Sequence, residues 1–111
     1  MRLTSVIWLG VFMRREAARG AFVTVAKKGA QQAGALFIVQ NHLDGTYDVF
    51  GPAPQSILEE DASDRKFERV LAHADQPAID QYFEKQKRFD PDLWIIETES
   101  GSGTISLDLM P

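Results

Sequence analysis

The segment that most constrains the fold is residues 35–39, Ala-Leu-Phe-Ile-Val, which is apolar at every position. A strand with one wet face alternates apolar and polar residues, whereas a strand covered on both faces is apolar throughout. We therefore expect residues 35–41 to form a central strand of a sheet. Asp44-Gly45 then supplies the positive φ angles of a type I′ turn, which predicts a hairpin and a return strand over residues 47–50. The Pro-containing residues 51–54 end that strand, because proline cannot donate to a ladder.

Residues 5–19 carry the signals of a helix. Ser5 can cap its start, Gly20 can end it in the left-handed conformation, and three arginines lie in its C-terminal half, where cations favour the dipole. Apolar side chains surround almost the whole circumference over residues 6–13, which is typical of a helix buried on several sides. The alternative is a strand over residues 3–9 and a shorter helix, because Thr, Val, Ile and Trp favour strands.

A second helix is the clearest in the chain. Asp75 caps it, Pro77 is tolerated in its first turn, and Pro91 stops it at or before Asp90. One face carries residues at spacings of three and four, namely Ile79, Tyr82, Phe83, Gln86 and Phe89.

The remaining chain predicts further strands. They cover residues 22–28, 66–71 (with Phe67, Val70 and Leu71 at least partly inward), 93–99 and, after a turn at Gly101 to Gly103, residues 104–107. Residues 55–64 read as a polar, acidic connection with one helical turn at residues 56–60. The predicted fold is α+β, a single compact domain over residues 1–111 in which two helices pack against a mainly antiparallel sheet of five to six strands.

Composition narrows the classes of function. The chain has no cysteine, which excludes disulfides and thiolate chemistry and suits a reducing, cytoplasmic environment. Its formal charge of −4 argues against a nucleic-acid backbone as partner. The apolar run before Arg14-Arg15 is too short to span a membrane and lacks the small-residue cleavage site of a signal peptide.

The sequence contains few residues that could serve as catalytic bases or as metal ligands with nitrogen or sulfur atoms. The two histidines, His42 and His73, lie far apart in the chain, and each is expected to be an ordinary exposed imidazole. We therefore predict no metal site, no cofactor and no catalytic triad. The alternative is a small metal-dependent hydrolase or nuclease, whose carboxylates would be Asp90, Asp92, Glu97 and Glu99.

Two further patterns have structural interpretations. The glycine-flanked loop at residues 29–34 is most simply a turn, because no Gly-Lys-Ser/Thr follows it. Trp8 and Trp94 are expected in the core. A second alternative function is anion or nucleic-acid binding through a patch of Arg14, Arg15, Arg19, Lys27 and Lys28.

The most distinctive segment is Arg88-Phe-Asp-Pro-Asp-Leu-Trp-Ile-Ile-Glu97. With Ile7-Trp8, Arg14-Arg15, Ala33-Gly34-Ala35, Asp44-Gly45, residues 51–55, Asp64-Arg65 and Phe67-Glu68, it resembles a small alphaproteobacterial family catalogued as domain of unknown function 1491. The resemblance extends from Arg2 to about Glu99. It implies a stand-alone bacterial cytoplasmic domain and transfers no catalytic residue.

These observations favour a non-enzymatic module that binds a protein partner or itself, with a homodimer expected because the first helix is apolar on most sides. The candidate functional surface comprises Arg14, Arg15, Arg88, Asp90, Asp92 and Trp94. The segment from Asp90 to Trp94 has an architectural interpretation as well, since it must stop a helix, reverse the chain and start a buried strand.

Overall fold

The computed structural model describes residues 4–54, 65–99 and 104–109. Along the chain the elements are α1 (Ser5–Ala18), β1 (Phe22–Lys27), β2 (Leu36–Asn41), β3 (Tyr47–Pro52), β4 (Lys66–Ala74), α2 (Gln76–Phe89), β5 (Trp94–Glu99) and β6 (Asp108–Leu109). The strands form one sheet in the order β1-β5-β2-β3-β4-β6. The β2–β5 and β4–β6 pairs are parallel and the other three are antiparallel. This confirms the predicted α+β class and the mainly antiparallel sheet with two helices.

The central position of β2 follows from its apolar sequence. Leu36 and Ile38 point to the face covered by α1, whereas Phe37 and Val39 point to the face covered by α2. All four side chains are buried, as predicted for a strand covered on both faces. The molecule therefore has three layers, with the sheet between the helices.

The core on the α1 face is built around aromatic packing. The Trp8 ring stacks on Phe12 and tilts against Phe67, with centroids 5.2 Å apart in both pairs. Trp94 completes the same cluster from β5, so both tryptophans are core residues, as predicted. On the α2 face, Phe83 meets Phe37 edge to face at 5.6 Å.

The first helix forms over nearly the predicted residues, and Gly20 ends it with φ of +83°. Its N-cap is Thr4 rather than Ser5, because Ser5 is buried and donates its hydroxyl to the Gly34 carbonyl at 2.8 Å. The prediction that its apolar girth is buried on several sides is wrong. Val6 and Ile7 are 45% and 53% exposed, since a helix on the outside of a single sheet has only one face to bury.

The β2–β3 hairpin is confirmed, but its turn is not type I′. Positive φ angles occur at Leu43 and Gly45, not at Asp44. The loop is wider, closed by the His42 amide donating to the Thr46 carbonyl at 3.1 Å. Asp44 instead accepts hydrogen bonds from the amide and hydroxyl of Thr46.

Several predicted boundaries differ from the structure. β3 continues two residues further, because Pro52 occupies the last ladder position before the Ala53 amide donates to Lys66. β4 is longer and reaches Ala74, and no strand forms at residues 104–107. The short β6 follows these residues and pairs in parallel with the start of β4. The expectations for residues 55–64 and 101–103 lie outside the described residues.

The second helix begins after Asp75, whose carboxylate accepts from the Ala78 amide at 3.0 Å, and ends before Asp90, as predicted. Ile79 and Phe83 are buried on its inner face. The inclusion of Phe89 on that face is wrong, because this residue lies in the last turn of α2 and is 76% exposed.

Candidate functional site

Three neighbouring strands become polar at the same level on the α1 face. Gln40 of β2 pairs with Thr98 of β5 on one side and Asp48 of β3 on the other. All three residues are no more than 6% exposed, although the next level inward is apolar. Buried polar groups require hydrogen-bond partners, so polar side chains of other elements are expected to meet this row.

Asp48 is the centre of a cluster at the hairpin end of this row. Its Oδ1 lies 2.9 Å from Nε2 of His42 and accepts the His73 backbone N–H at 2.8 Å. Its Oδ2 lies 3.1 Å from Nε of Arg69, and that guanidinium also covers the Phe50 ring at 5.4 Å. The Asp48 carboxylate therefore ties the hairpin to the far end of β4.

The two imidazole rings in this cluster stack on each other with centroids 4.9 Å apart. His73 is exposed, His42 is half-buried, and His73 has a left-handed backbone with φ of +48°. His73 is exposed as predicted, but the prediction is wrong for half-buried His42, and the two rings are not distant in the fold. The β3–β4 pairing, which the sequence does not reveal, brings His73 to the hairpin.

The electrostatics of Asp48 follow from these contacts. Burial acts to raise the pKa of this carboxyl, but the hydrogen bonds from His42 and the His73 amide outweigh it. The positive charges of His42 and Arg69 act in the same direction, so the pKa of Asp48 lies below its ordinary value of 3.8. The carboxylate is therefore ionised near neutral pH, and it can accept a hydrogen bond or bind a cation.

Within the described part of the chain, His42, Asp48 and His73 are the one group of three or more potential ligands close enough to share a metal ion. Their ligand atoms lie within 4.8 Å of one another. Two imidazoles and one carboxylate form a donor set that suits zinc and related ions. The hairpin register could have brought His42 and Asp48 together at the sequence level, but no local pattern includes His73.

A second buried carboxyl group lies at the other end of the polar row. Glu16 of α1 is 1% exposed and accepts the Thr98 hydroxyl and the Ser106 amide, both at 3.1 Å. Arg19 approaches the same carboxylate at 4.0 Å. The sequence contained a signal for this residue, because Glu16 continues the buried stripe of Ser5, Trp8, Leu9 and Phe12 at helical spacing.

The four carboxylates of the hydrolase alternative do not converge. Asp90 and Asp92 precede β5, whereas Glu97 and Glu99 lie in its second half, on the face of the sheet that carries α2. At about 3.3 Å per residue, Asp92 and Glu99 are separated by most of the length of the strand. They form no common ligand group among the residues that the structure describes.

The Asp90 to Trp94 segment is tied into the fold at each step. The Asp90 carboxylate accepts the Asp92 amide at 3.0 Å, the Asp92 carbonyl accepts the Ala30 amide at 2.9 Å, and the Trp94 indole donates to the Ala30 carbonyl at 2.7 Å. Trp94 is 3% exposed and therefore cannot form part of a functional surface. These contacts favour the architectural interpretation of the segment.

The loop at residues 29–34 is also structural. Its Gln31 and Gln32 carbonyls accept the Val6 and Ser5 amides, so they satisfy the N-terminus of α1 where an anion would otherwise bind. A Cβ on Gly29 would lie only 2.2 Å from the Asp92 carbonyl oxygen. The glycine permits this close approach, and residues 31–33 form the predicted turn.

The basic residues are distributed over different places. Arg14 and Arg15 are exposed near the C-terminal end of α1, and Arg19 contacts Glu16 and Thr104. Lys27 lies at the opposite end of β1, where its ammonium donates to the Pro91 and Leu93 carbonyls at 2.9 Å, and Lys28 follows it. The structure therefore does not bring the arginines of α1 and the two lysines into one patch, and Arg88 is exposed in the last turn of α2.

A groove of about 420 Å³ lies beside α2 on the sheet. Its apolar lining consists of Ala26, Val39, Tyr47, Ile79, Phe83 and Ile95. Asp80 and Glu84 from α2 and Glu97 from β5 line it with three carboxylates, against one ammonium from Lys87. The groove therefore has both apolar and charged lining residues, and its charge is acidic in balance.

The strand β1 borders this region and forms one edge of the sheet. Its outer side pairs with no described strand, and Phe22 and Val25 are 66% and 39% exposed. Every second residue of an edge strand directs its backbone N–H and C=O away from the sheet. This edge is consequently a template for another extended segment.

Together these features define a small three-layer α+β domain with a buried polar row on one face and an open strand edge beside an acidic groove on the other. No helix of the described chain is long and apolar enough to cross a membrane. The chain belongs to the family described as protein of unknown function DUF1491, whose model matches residues 3–108. This confirms the family resemblance found in the sequence.

Solved structures of other proteins share this fold. The solution structure of protein Atu0922 from A. tumefaciens is 38% identical, with a TM-score of 0.84, and the match covers 100% of this chain and 98% of that one. A crystal structure of a DUF1491 family protein from Caulobacter crescentus is 30% identical over 100% of both chains, with a TM-score of 0.77. An NMR structure of a DUF1491 family protein from the same organism is 31% identical, with a TM-score of 0.76, over 100% of this chain and 99% of that one. No curated protein matches the chain.

Proposed function

We propose that this protein is a non-enzymatic, cytoplasmic interaction module that binds an extended segment of a partner protein along the open edge of β1. The observation that carries the proposal is the combination of this unpaired edge with the acidic groove beside it. A strand added to an exposed edge gains main-chain hydrogen bonds, and pockets for its alternate side chains provide specificity.

The chemistry of the groove determines what kind of segment fits. Thr24 of β1 lies directly opposite Glu97 of β5. A residue added opposite Thr24 would lie two strand spacings, about 10 Å, from Glu97. A lysine or arginine side chain reaching across β1 and the glutamate side chain together span that distance. Exposed Phe22 and Val25 favour apolar residues at other positions of the segment, so the partner is an extended stretch with apolar and basic side chains.

Three observations favour this proposal over the alternatives. The carboxylates of the hydrolase alternative are spread from the turn before β5 to the last residue of that strand. The arginines of the anion-binding alternative lie near the C-terminal end of α1, whereas the lysines lie at the far end of β1. The argument for self-association is weaker, because Trp8 is already buried within one chain and needs no second copy to cover it. Val6 and Ile7 are the residues of α1 that still favour it.

The test is selection of random peptides displayed on phage against the folded protein, followed by NMR mapping of the enriched peptides on the isotope-labelled chain. We expect enriched peptides to carry apolar and basic residues and to perturb the amides of β1 and the groove. Glu97→Lys should abolish this binding. Glu68→Lys is the matched control, because Glu68 is similarly half-buried but lies on β4, far from the β1 edge, and should leave binding intact.

Three outcomes would contradict the proposal. The selection enriches no peptide, the perturbed amides lie elsewhere, or Glu68→Lys weakens binding as much as Glu97→Lys does. Sedimentation equilibrium of the peptide-free protein tests whether a second copy of the chain binds at the β1 edge. A dimer that is disrupted by Phe22→Ser would assign the β1 edge to self-association instead.

A further inference from the structure

We infer that His42, Asp48 and His73 form a binding site for a divalent transition-metal ion, best suited to Zn²⁺. The three side chains come from the β2–β3 loop, β3 and β4, and they meet only in the folded chain. This site is independent of the partner-binding edge, because β1 and the β3–β4 end of the sheet are separated by β5 and β2.

The distances are close to what zinc requires. Zinc binds imidazole nitrogen and carboxylate oxygen at about 2.0–2.2 Å, so two ligands of a tetrahedral ion lie about 3.3 Å apart. Nε2 of His42 and Oδ1 of Asp48 are already 2.9 Å apart. The ligand atoms of the whole group lie within 4.8 Å of one another. The largest movement needed is therefore about 1.5 Å, which rotation of the exposed His73 ring can supply.

The surroundings hold the ligands in place. Arg69 contacts Oδ2 of Asp48 at 3.1 Å and leaves Oδ1 directed toward His42. The His73 amide donates to the same Oδ1, which holds the backbone of His73 against the carboxylate in its left-handed conformation. Groups that orient metal ligands in this way strongly affect metal affinity.

The donor set determines the class of ion. Two imidazoles and one carboxylate, in a chain without cysteine, suit Zn²⁺, Co²⁺ or Ni²⁺. Mg²⁺ and Ca²⁺ require mostly oxygen ligands, which this group does not supply. Three protein ligands leave a fourth tetrahedral position for water or for a ligand atom from solution, and exposed His73 provides access to it.

The experiment uses the protein without a polyhistidine tag. Isothermal titration with ZnCl₂ should give one ion per chain, and a Zn²⁺ concentration of about 100 times the Kd should raise the Tm by about ten degrees. Equal concentrations of MgCl₂ should not. Tetrahedral Co²⁺ should give a visible absorption band. Since the chain has 2 histidines, the imidazole ¹⁵N signals of both should shift when Zn²⁺ binds, without any substitution.

Variants locate the site. His42→Gln and His73→Asn should each weaken Zn²⁺ binding by at least about tenfold. Asparagine tolerates the left-handed conformation of residue 73, so that variant is expected to fold. Asp92→Asn is the matched control, because it removes an exposed carboxylate that precedes β5, at the opposite end of the sheet from the group, and it should leave the affinity unchanged.

The inference is wrong if ZnCl₂ at 100 times the protein concentration leaves the imidazole signals unshifted. It is also wrong if His73→Asn binds Zn²⁺ as tightly as the parent chain. Neither result bears on the peptide selection at the β1 edge, so the two proposals fail separately.

Discussion

His42 and His73 stack their imidazole rings with centroids 4.9 Å apart, although one follows β2 and the other lies near the end of β4. Both are held by one carboxylate, because Asp48 contacts the His42 ring and accepts the His73 amide. These contacts hold the hairpin and β4 together at the end of the sheet where the buried polar row lies. Their consequences for stability and pH can be measured directly.

Asp48→Asn should destabilise the fold by about 1–3 kcal/mol at pH 7, because it weakens hydrogen bonds to a charged acceptor. The folded-state pKa of Asp48 is below its ordinary value of 3.8. A depressed pKa contributes stability that is complete above the unfolded value and is lost as the pH falls through the folded value. The difference between parent and variant should therefore be largest near neutral pH and should shrink as the pH falls below about 4. Urea unfolding followed by tryptophan fluorescence from pH 2.5 to 7 measures it. A difference that grows on acidification would contradict the assignment.

Glu16→Ala should cost about 2–4 kcal/mol, because it leaves the Thr98 hydroxyl and the Ser106 amide without their acceptor in a buried place. Glu16→Gln keeps an acceptor oxygen and should cost less. The control is Glu84→Ala on the exposed surface of α2, which should stay within about 0.5 kcal/mol of the parent. Chemical denaturation of the three variants provides the comparison, and equal stability of Glu16→Ala and Glu84→Ala would contradict it.

Trp94→Ala should cost about 3–5 kcal/mol, because its ring is buried in the core. Asp90→Ala should cost about 1 kcal/mol through loss of the hydrogen bond to the Asp92 amide. The side chain of Asp92 is exposed, so Asp92→Ala is a neighbouring control expected within about 0.5 kcal/mol. Urea unfolding separates these cases. If all three variants are as stable as the parent, the segment is not architectural and becomes a functional candidate.

Gly29→Ala should destabilise the fold by more than about 2 kcal/mol, because its Cβ would lie 2.2 Å from the Asp92 carbonyl oxygen, which is fixed backbone. Gly10→Ala is the opposite case. Nothing lies within 4 Å of a Cβ added there, inside α1, so the substitution should stabilise the helix by about 0.4–1 kcal/mol. Thermal unfolding of both variants gives the sign. A Gly29→Ala protein as stable as the parent would show that this loop can move away from β5.

The sequence by itself determined the elements that depend on local physics. The all-apolar run of β2 specified a strand with two buried faces, and Asp75, Pro77 and Pro91 specified the limits of α2. Gly20 and Asp44-Gly45 located the end of α1 and the hairpin. These features act within a few residues of the chain, through torsion preferences, capping hydrogen bonds and burial period. For that reason they can be inferred without knowing what the segment packs against.

Only the tertiary structure decided which strands are neighbours. β5 lies between β1 and β2, and β4 reaches the hairpin, and these pairings bring His73 to Asp48 and Ser106 to Glu16. Strand order depends on burying all the apolar faces together, which no local spacing encodes. The exposure of Val6 and Ile7 likewise could not be inferred from the sequence. The pattern of a helix shows which of its residues are apolar, but not how many of its faces pack against other elements.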